Sequence, residues 1–181
     1  MSLFINLITV SRMIFGAIIF VLLTKTDMYW FALILFFYAG LTDYLDGYLA
    51  RKYNSVSQLG EILDPIADKI LIVFLLFAIS INLTSYYVGF LSAVIITREI
   101  WVGALRDFNA REQNHNATKV TFLAKIKTTI QLITISSYLL GFSLNNMLII
   151  LISDIFLFIS FIVTTFTGWQ YTHNTFFKKN D

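Results

Sequence analysis

The chain has 181 residues, 57% of them hydrophobic, and a mean hydropathy of +0.75. Both values are higher than those of a typical soluble domain. They predict a protein that lies within a bilayer, in contact with membrane lipids. The net charge of only +2, with no basic tail, argues against a nucleic-acid partner, and the absence of cysteine excludes disulfides and thiolate sites.

Six apolar segments follow one another along the chain, each long enough to cross a hydrocarbon core of about 30 Å as a helix of roughly 20 residues. They cover residues 7–24, 28–49, 62–81, 86–107, 121–141 and 146–170. No small-residue cleavage pattern follows Arg12 and its apolar run, so the first segment is predicted to be a retained helix. Because no repeat, linker or series of alternating segments appears, we expect one all-α domain over residues 1–181, a polytopic membrane protein with six transmembrane helices.

The charged residues of the connections predict the orientation in the membrane. With six spans both termini share one side, and that side carries most of the basic residues of the connections and tail: Arg51, Lys52, Arg111, Lys119, Lys178 and Lys179. The opposite connections offer only Lys25, which is offset by Asp27. Since basic residues accumulate on the inner side of a membrane, the side of the termini is predicted to be cytoplasmic.

Four aspartates flank the connection between the second and third segments: Asp43, Asp46, Asp64 and Asp68. Their spacings of three and four residues place each pair on one face of a helix. The second segment rises to the cytoplasmic surface and the third descends from it, so the two faces meet at similar depth. Desolvation and mutual repulsion would strongly disfavour four unpaired carboxylates there, and bound cations would remove this conflict.

Carboxylate oxygens without histidine or cysteine are typical ligands of hard ions, which predicts Mg²⁺ or Mn²⁺. A pair of such ions about 4 Å apart would polarise a phosphoryl group and stabilise the attacking and leaving oxygens. Gly47 and Gly60 extend the two acidic faces and would let a nucleotide or diphosphate approach the helix backbone. For any single aspartate, helix capping or a pair with Arg51, Lys52 or Lys69 is the alternative; four in register with two glycines favour the metal site.

The region around these aspartates resembles the motif of the CDP-alcohol phosphatidyltransferases, D-x-x-D-G-x-x-A-R, eight residues, then G-x-x-x-D-x-x-x-D. Every fixed position matches, at Asp43, Asp46, Gly47, Ala50, Arg51, Gly60, Asp64 and Asp68. The resemblance implies a CDP-alcohol phosphotransferase-like fold of six helices, a homodimer, and a location in a bacterial plasma membrane. It also implies transfer of a phosphatidyl group from a CDP-linked lipid to an alcohol, with release of CMP.

The resemblance further implies separate roles for the matching residues. Asp43, Asp46 and Asp64 would chiefly hold the metals, while Asp68 would contact a metal and also act as general base on the attacking hydroxyl. This division is chemically reasonable because positioning and metal polarisation lower much of the barrier even when the base is weak.

The CDP-lipid would lie against small residues of the motif. The resemblance places the cytidine and ribose at Gly47, Ala50 and Gly60, with Arg51 near the nucleotide end; an ordinary positive-inside arginine is the alternative for Arg51. The stretch 6–12 resembles a family element that packs beside the diphosphate. Its Thr9 would donate a hydrogen bond to a phosphate oxygen.

Cations on the fourth and fifth segments indicate a phosphorylated acceptor. Arg106 lies eight residues after Arg98, so both can border one cavity, although a local ion pair with Glu99 is the alternative for Arg98. Lys125 and Lys127 point about 200° apart around their helix. We expect Lys125 to face the cavity and Lys127 to extend towards lipid headgroups.

The stretches 97–100, 104–106 and 125–129 resemble those family members that use glycerol 3-phosphate. The sequence therefore predicts CDP-diacylglycerol as donor and sn-glycerol 3-phosphate as acceptor, whose primary hydroxyl attacks the lipid-side phosphorus. The aspartate motif alone leaves other acceptors open, namely serine, inositol phosphate or phosphatidylglycerol. More distant alternatives are an aspartate-rich membrane prenyltransferase and a cation transporter that binds its ion at the aspartates.

Overall fold

A computed structural model describes residues 2–52, 58–112 and 122–177. The described secondary structure consists of six helices: α1 Ser2–Lys25, α2 Tyr29–Lys52, α3 Gln58–Leu83, α4 Tyr86–Arg111, α5 Phe122–Ser143 and α6 Met147–Phe176. They coincide with the six predicted segments, extended by a few residues at most ends. The prediction of an all-α fold is confirmed for the described part of the chain.

Within the described residues, four stretches are long and apolar enough to cross a membrane: Asn6–Lys25, Ile62–Leu83, Tyr86–Arg111 and Met147–Phe176. In α2 the apolar stretch is shorter and covers Tyr29–Leu45. Many large apolar side chains on the outside are also exposed, such as Phe31, Ile34 and Trp169, each more than 60% accessible. Exposed apolar surface on this scale belongs in lipid, so the chain is an integral membrane protein.

Polar N-caps and tight turns determine where α4 and α6 begin. The side chain of Ser85 accepts a hydrogen bond from the backbone N–H of Val88 and caps α4, directly after Thr84 with φ 48°. Asn146 caps α6 in the same way, after Asn145 with φ 50°. Side-chain oxygens at these positions satisfy N–H groups that a helix start leaves unpaired. The connections from α3 to α4 and from α5 to α6 are short, so the helices in each of these two pairs run antiparallel.

Among the described residues, the helices pack around a large apolar core, with a smaller buried cluster between α4 and α6. Helix α1 packs against α2 and α3, α6 packs against α4 and α5, and α2 also contacts α5. Fully buried apolar residues from several helices fill the centre, including Ile19, Leu75, Ile95, Ile135 and Leu157. This core lies towards the end of the bundle where the chain passes from α1 to α2, from α3 to α4 and from α5 to α6.

One glycine permits the close approach of α1 to α3. A β-carbon at Gly16 would lie 3.3 Å from the backbone Cα of Leu71, tighter than ordinary van der Waals contact. Since backbone atoms cannot rotate away, a larger residue would push the two helices apart. Helix α1 therefore lies close against α3 at Gly16, one turn after Arg12.

Candidate active site

An arginine on α1 joins the predicted acidic residues of α2 and α3. The Nη1 atom of Arg12 lies 2.7 Å from Oδ1 of Asp43 and 2.5 Å from Oδ1 of Asp68. Arg12 is buried, with only 1% of its surface exposed, whereas the side chains of Asp43 and Asp68 are 53% and 55% exposed. The arginine therefore lies behind the two carboxylates, which face an open space.

Asp64 accepts a hydrogen bond from α1 as well, from a residue one turn before Arg12. The hydroxyl of Thr9 donates a hydrogen bond to Oδ1 of Asp64 over 3.1 Å, and Thr9 is buried. Thr9 and Arg12 are three residues apart on α1, and Asp64 and Asp68 are four apart on α3, so each pair shares a face. The two faces meet in register, which brings three of the four predicted metal ligands to one end of the bundle.

The remaining motif residues are described only in part. The side chains of Asp46, Ala50 and Arg51 lie outside the described residues. Gly47 and Gly60 lie on α2 and α3 and are partly accessible. Their predicted contacts with the nucleotide stay predictions.

The donor set fits a hard divalent ion, although a preformed cage is not seen. Among the described side chains, no three acidic or histidine residues form a group that could hold a metal ion. Oxygens of Asp43 and Asp68 nevertheless converge on one nitrogen of Arg12, so carboxylates of two helices are available to a cation there. Mg²⁺ and Mn²⁺ prefer such ligands, and Mg²⁺ commonly takes the rest from water and substrate phosphate.

Arg12 is the site residue that the sequence analysis missed. There it marked the start of the first apolar segment and closed the stretch 6–12, but it received no role of its own. A usable signal was present, since an arginine inside an apolar helix requires a partner, and Thr9 lies one turn before it on the same face.

A cavity of about 520 Å³ lies between α3, α4 and α5. Asp68 lines it, and its other charged lining residues come from three helices: Lys69, Arg98, Glu99, Arg106 and Lys127. The prediction that Arg98 and Arg106 border one cavity is confirmed. The proposed general base and the basic residues therefore share one space.

Glu99 binds two of these basic residues. Its Oε1 atom accepts a hydrogen bond from Nη1 of Arg98 over 3.2 Å and another from Nζ of Lys127. The local ion pair considered for Arg98 is thus present, and it exists beside the cavity rather than instead of it. A carboxylate that contacts both cations offsets the cost of burying their charge.

The prediction that Lys127 extends away to lipid headgroups is wrong. Lys127 is buried, lines the cavity and pairs with Glu99. The spacing within α5 showed that Lys125 and Lys127 point apart, but only the tertiary arrangement of the helices decides which of them reaches Glu99. The side chain of Lys125 lies outside the described residues.

Arg106 is held nearer the surface by an aromatic residue of α6. Its Nη2 donates to the hydroxyl of Tyr171 over 3.2 Å, and its guanidinium lies 5.3 Å from the centre of the same ring. Tyr171 is buried, whereas Arg106 is exposed. Stacking and hydrogen bonding together direct the guanidinium without neutralising its charge.

The chain is similar in sequence to one protein family over most of its length. The model of the CDP-alcohol phosphatidyltransferase family matches residues 3–167. The chain is 36% identical over 141 residues to the CDP-diacylglycerol–glycerol-3-phosphate 3-phosphatidyltransferase of Wigglesworthia glossinidia brevipalpis, covering 78% of this chain and 76% of that protein. It is 36% identical over 138 residues to the protein of that name from Haemophilus influenzae, covering 76% and 73%. With the Escherichia coli protein of that name it shares 34% identity over 105 residues, 58% of each chain.

Proposed function

The chain belongs to the CDP-alcohol phosphatidyltransferase family, and we propose that it transfers the phosphatidyl group of CDP-diacylglycerol to the 1-hydroxyl of sn-glycerol 3-phosphate. The products are phosphatidylglycerophosphate and CMP. One observation carries the choice of acceptor. Asp68 and the basic residues Arg98, Arg106 and Lys127 line the same cavity, so a small molecule with a phosphate at one end can present its hydroxyl to a carboxylate.

On the donor side, the proposal places the diphosphate of CDP-diacylglycerol at the aspartates. Mg²⁺ or Mn²⁺ ions, two in the proposed complex, would be held by Asp43, Asp46, Asp64 and Asp68. When bound, such ions polarise the phosphoryl group and stabilise charge on the oxygens that attack and leave. The carboxylates of Asp43 on α2 and Asp68 on α3, which come together at one nitrogen of Arg12, support this assignment.

The small residues Gly47, Ala50 and Gly60 are proposed to accept the cytidine and ribose, with Arg51 at the nucleotide end. Thr9 is proposed to border the diphosphate. Its hydroxyl donates to Asp64, which supports a role in orienting that carboxylate beside the donor.

On the acceptor side, Arg98, Arg106 and Lys127 would bind the phosphate group of glycerol 3-phosphate, and Lys125 stays a further candidate. Asp68 would accept the proton of the 1-hydroxyl while the hydroxyl oxygen forms a bond to the lipid-side phosphorus. The bond from that phosphorus to the CMP oxygen breaks, and CMP leaves with the electron pair. Fixing both reactants in one cavity removes much of the entropy cost of their meeting.

We also propose that all six helices span the membrane, with the aspartates facing the cytoplasm of a bacterium. The shorter apolar part of α2 is consistent with this arrangement, because the last turns of α2 carry the acidic motif. Lys52 and Arg111 end α2 and α4 and so lie at the same end as the motif, in agreement with the positive-inside rule. A homodimer and a single domain over residues 1–181 stay predictions.

The test uses purified protein with Mn²⁺, CDP-diacylglycerol and radiolabelled glycerol 3-phosphate. CMP and labelled phosphatidylglycerophosphate should form in equal amounts, and chelation of the metal should stop both. Serine and inositol phosphate are offered in competition. Turnover with one of these but not with glycerol 3-phosphate would refute the acceptor, and turnover of a prenyl diphosphate alone, or ion flux without CMP, would refute the reaction.

A further inference from the structure

Arg12 occupies the position that a metal ion would be expected to take. One nitrogen of its guanidinium contacts Oδ1 of Asp43 and Oδ1 of Asp68, at 2.7 and 2.5 Å. Both distances are those of close ion pairs. The same two oxygens are the obvious ligands for a cation that bridges α2 and α3.

The carboxylates around Arg12 require a nearby positive charge whether or not a metal ion is bound. Asp43, Asp64 and Asp68 approach one another at the end of the bundle, and carboxylates placed so close repel one another and lose solvation. A single buried arginine offsets part of that charge. Because the side chains of Asp43 and Asp68 are about half exposed, an ion can reach both carboxylates from the open side, opposite Arg12.

We propose that Arg12 is a resident counter-cation, which holds Asp43 and Asp68 together in the metal-free protein and releases their oxygens when divalent ions bind. The inference rests on the proposed metal site. Arg12 and the ion compete for the same lone pairs, and two positive charges a few ångströms apart repel each other. Arg12 therefore weakens metal binding while it stabilises the metal-free fold.

Arg12→Gln separates these two effects. Mn²⁺ binding to the purified variant, followed by the electron paramagnetic resonance of free Mn²⁺, should tighten by about tenfold, a typical coupling between competing ligands. Without metal the variant should unfold a few degrees below the wild type. Saturating Mn²⁺ should raise its Tm by more than it raises that of the wild type.

Arg98→Gln is the matched control, since Arg98 is also a buried arginine paired with a carboxylate. It should lower the Tm equally with and without Mn²⁺ and leave the Mn²⁺ affinity within about twofold. Equal Mn²⁺ affinity in Arg12→Gln and the wild type would overturn the inference, as would an equal loss of Tm with and without the ion. A wild-type protein that binds no Mn²⁺ would overturn the proposed metal site itself.

A second measurement covers the case that Arg12→Gln does not fold. Proton exchange of the guanidinium is followed by NMR in wild-type protein labelled at arginine, with the Arg12 signal assigned by its loss in Arg12→Lys. Addition of Mg²⁺ should accelerate exchange at Arg12 and leave Arg98 unchanged. Unaltered exchange at Arg12 with Mg²⁺ bound would overturn the inference.

Discussion

Arg98 on α4 donates a hydrogen bond of 2.6 Å to the hydroxyl of Thr167 on α6. Both residues are buried, and the hydroxyl of Thr167 lies within hydrogen-bond distance of carbonyl oxygens of its own helix, so its oxygen remains an acceptor for Arg98. None of the described residues that line the cavity belongs to α6. Helix α6 thus orients a basic residue of a cavity that it does not line.

Replacing Thr167 by Val should weaken acceptor binding. The change keeps the shape but leaves a buried nitrogen of Arg98 without its acceptor, a loss worth about 1–3 kcal/mol. We expect the KM for glycerol 3-phosphate to rise by about three- to tenfold as part of that loss. The KM for CDP-diacylglycerol should stay within about twofold in the same assays.

Thr165→Val is the control for Thr167→Val, because Thr165 is exposed and its hydroxyl donates a hydrogen bond to a carbonyl of its own helix. Its kinetics should match those of the wild type. Equal increases in both KM values of Thr167→Val would contradict a role in orienting Arg98.

Gly168→Ala should disturb the same arginine by contact. The added β-carbon would lie 2.8 Å from Cγ and 3.1 Å from Nε of Arg98, whose side chain is held at both ends of its guanidinium. We expect a fall in stability of about 1–3 kcal/mol, as for overpacked cores, and a higher KM for the acceptor. Thermal unfolding and steady-state kinetics measure the two effects.

Gly40→Ala is the matched change at an open position, since a β-carbon there meets nothing within 4 Å. Alanine favours a helix over glycine by up to about 1 kcal/mol, so this variant should be as stable as the wild type or more so. If Gly168→Ala had the same stability and the same KM for the acceptor as Gly40→Ala, the packing of Gly168 against Arg98 would not affect acceptor binding.

Arg106→Ala should affect the acceptor far more than the donor. The guanidinium lines the cavity while Tyr171 directs it from behind, so its loss removes charge from the proposed phosphate site. The KM for glycerol 3-phosphate should rise by about tenfold or more, since charge-assisted bonds contribute roughly 1.5–3 kcal/mol.

Arg111→Ala removes the same charge from the exposed last turn of α4 and should change neither KM. If Arg106→Ala raised the KM values for CDP-diacylglycerol and glycerol 3-phosphate equally, the assignment of the phosphate site would be wrong.

Asp68→Asn should abolish transfer while the site remains assembled. Asparagine keeps an oxygen that can accept from Arg12 but cannot take a proton from the attacking hydroxyl. Loss of a general base lowers kcat by about 10²- to 10⁴-fold. Binding of CDP-diacylglycerol, measured by calorimetry, should persist.

Asp27→Asn, at the exposed connection between α1 and α2, is the control for Asp68→Asn and should leave turnover unchanged. Near-normal turnover of Asp68→Asn would show that another group accepts the proton.

Much of the fold could be predicted because its signals act within single helices. Runs of apolar residues predicted six helices, and the structure places helices at all six. The spacing of Asp64 and Asp68 within α3 predicted a shared face, and contacts of both with one face of α1 agree with it. The eight-residue spacing of Arg98 and Arg106 likewise predicted a common cavity.

The residues that complete the site depend on contacts between distant segments. Arg12 reaches Asp68 across 56 residues, Lys127 reaches Glu99 across 28, and Arg98 reaches Thr167 across 69. Residue spacing determines which side chains share a face of one helix. Which way that face turns, and which helix it meets, is decided by packing among all the helices, so only the tertiary structure showed Arg12 beside the aspartates and Lys127 inside the cavity.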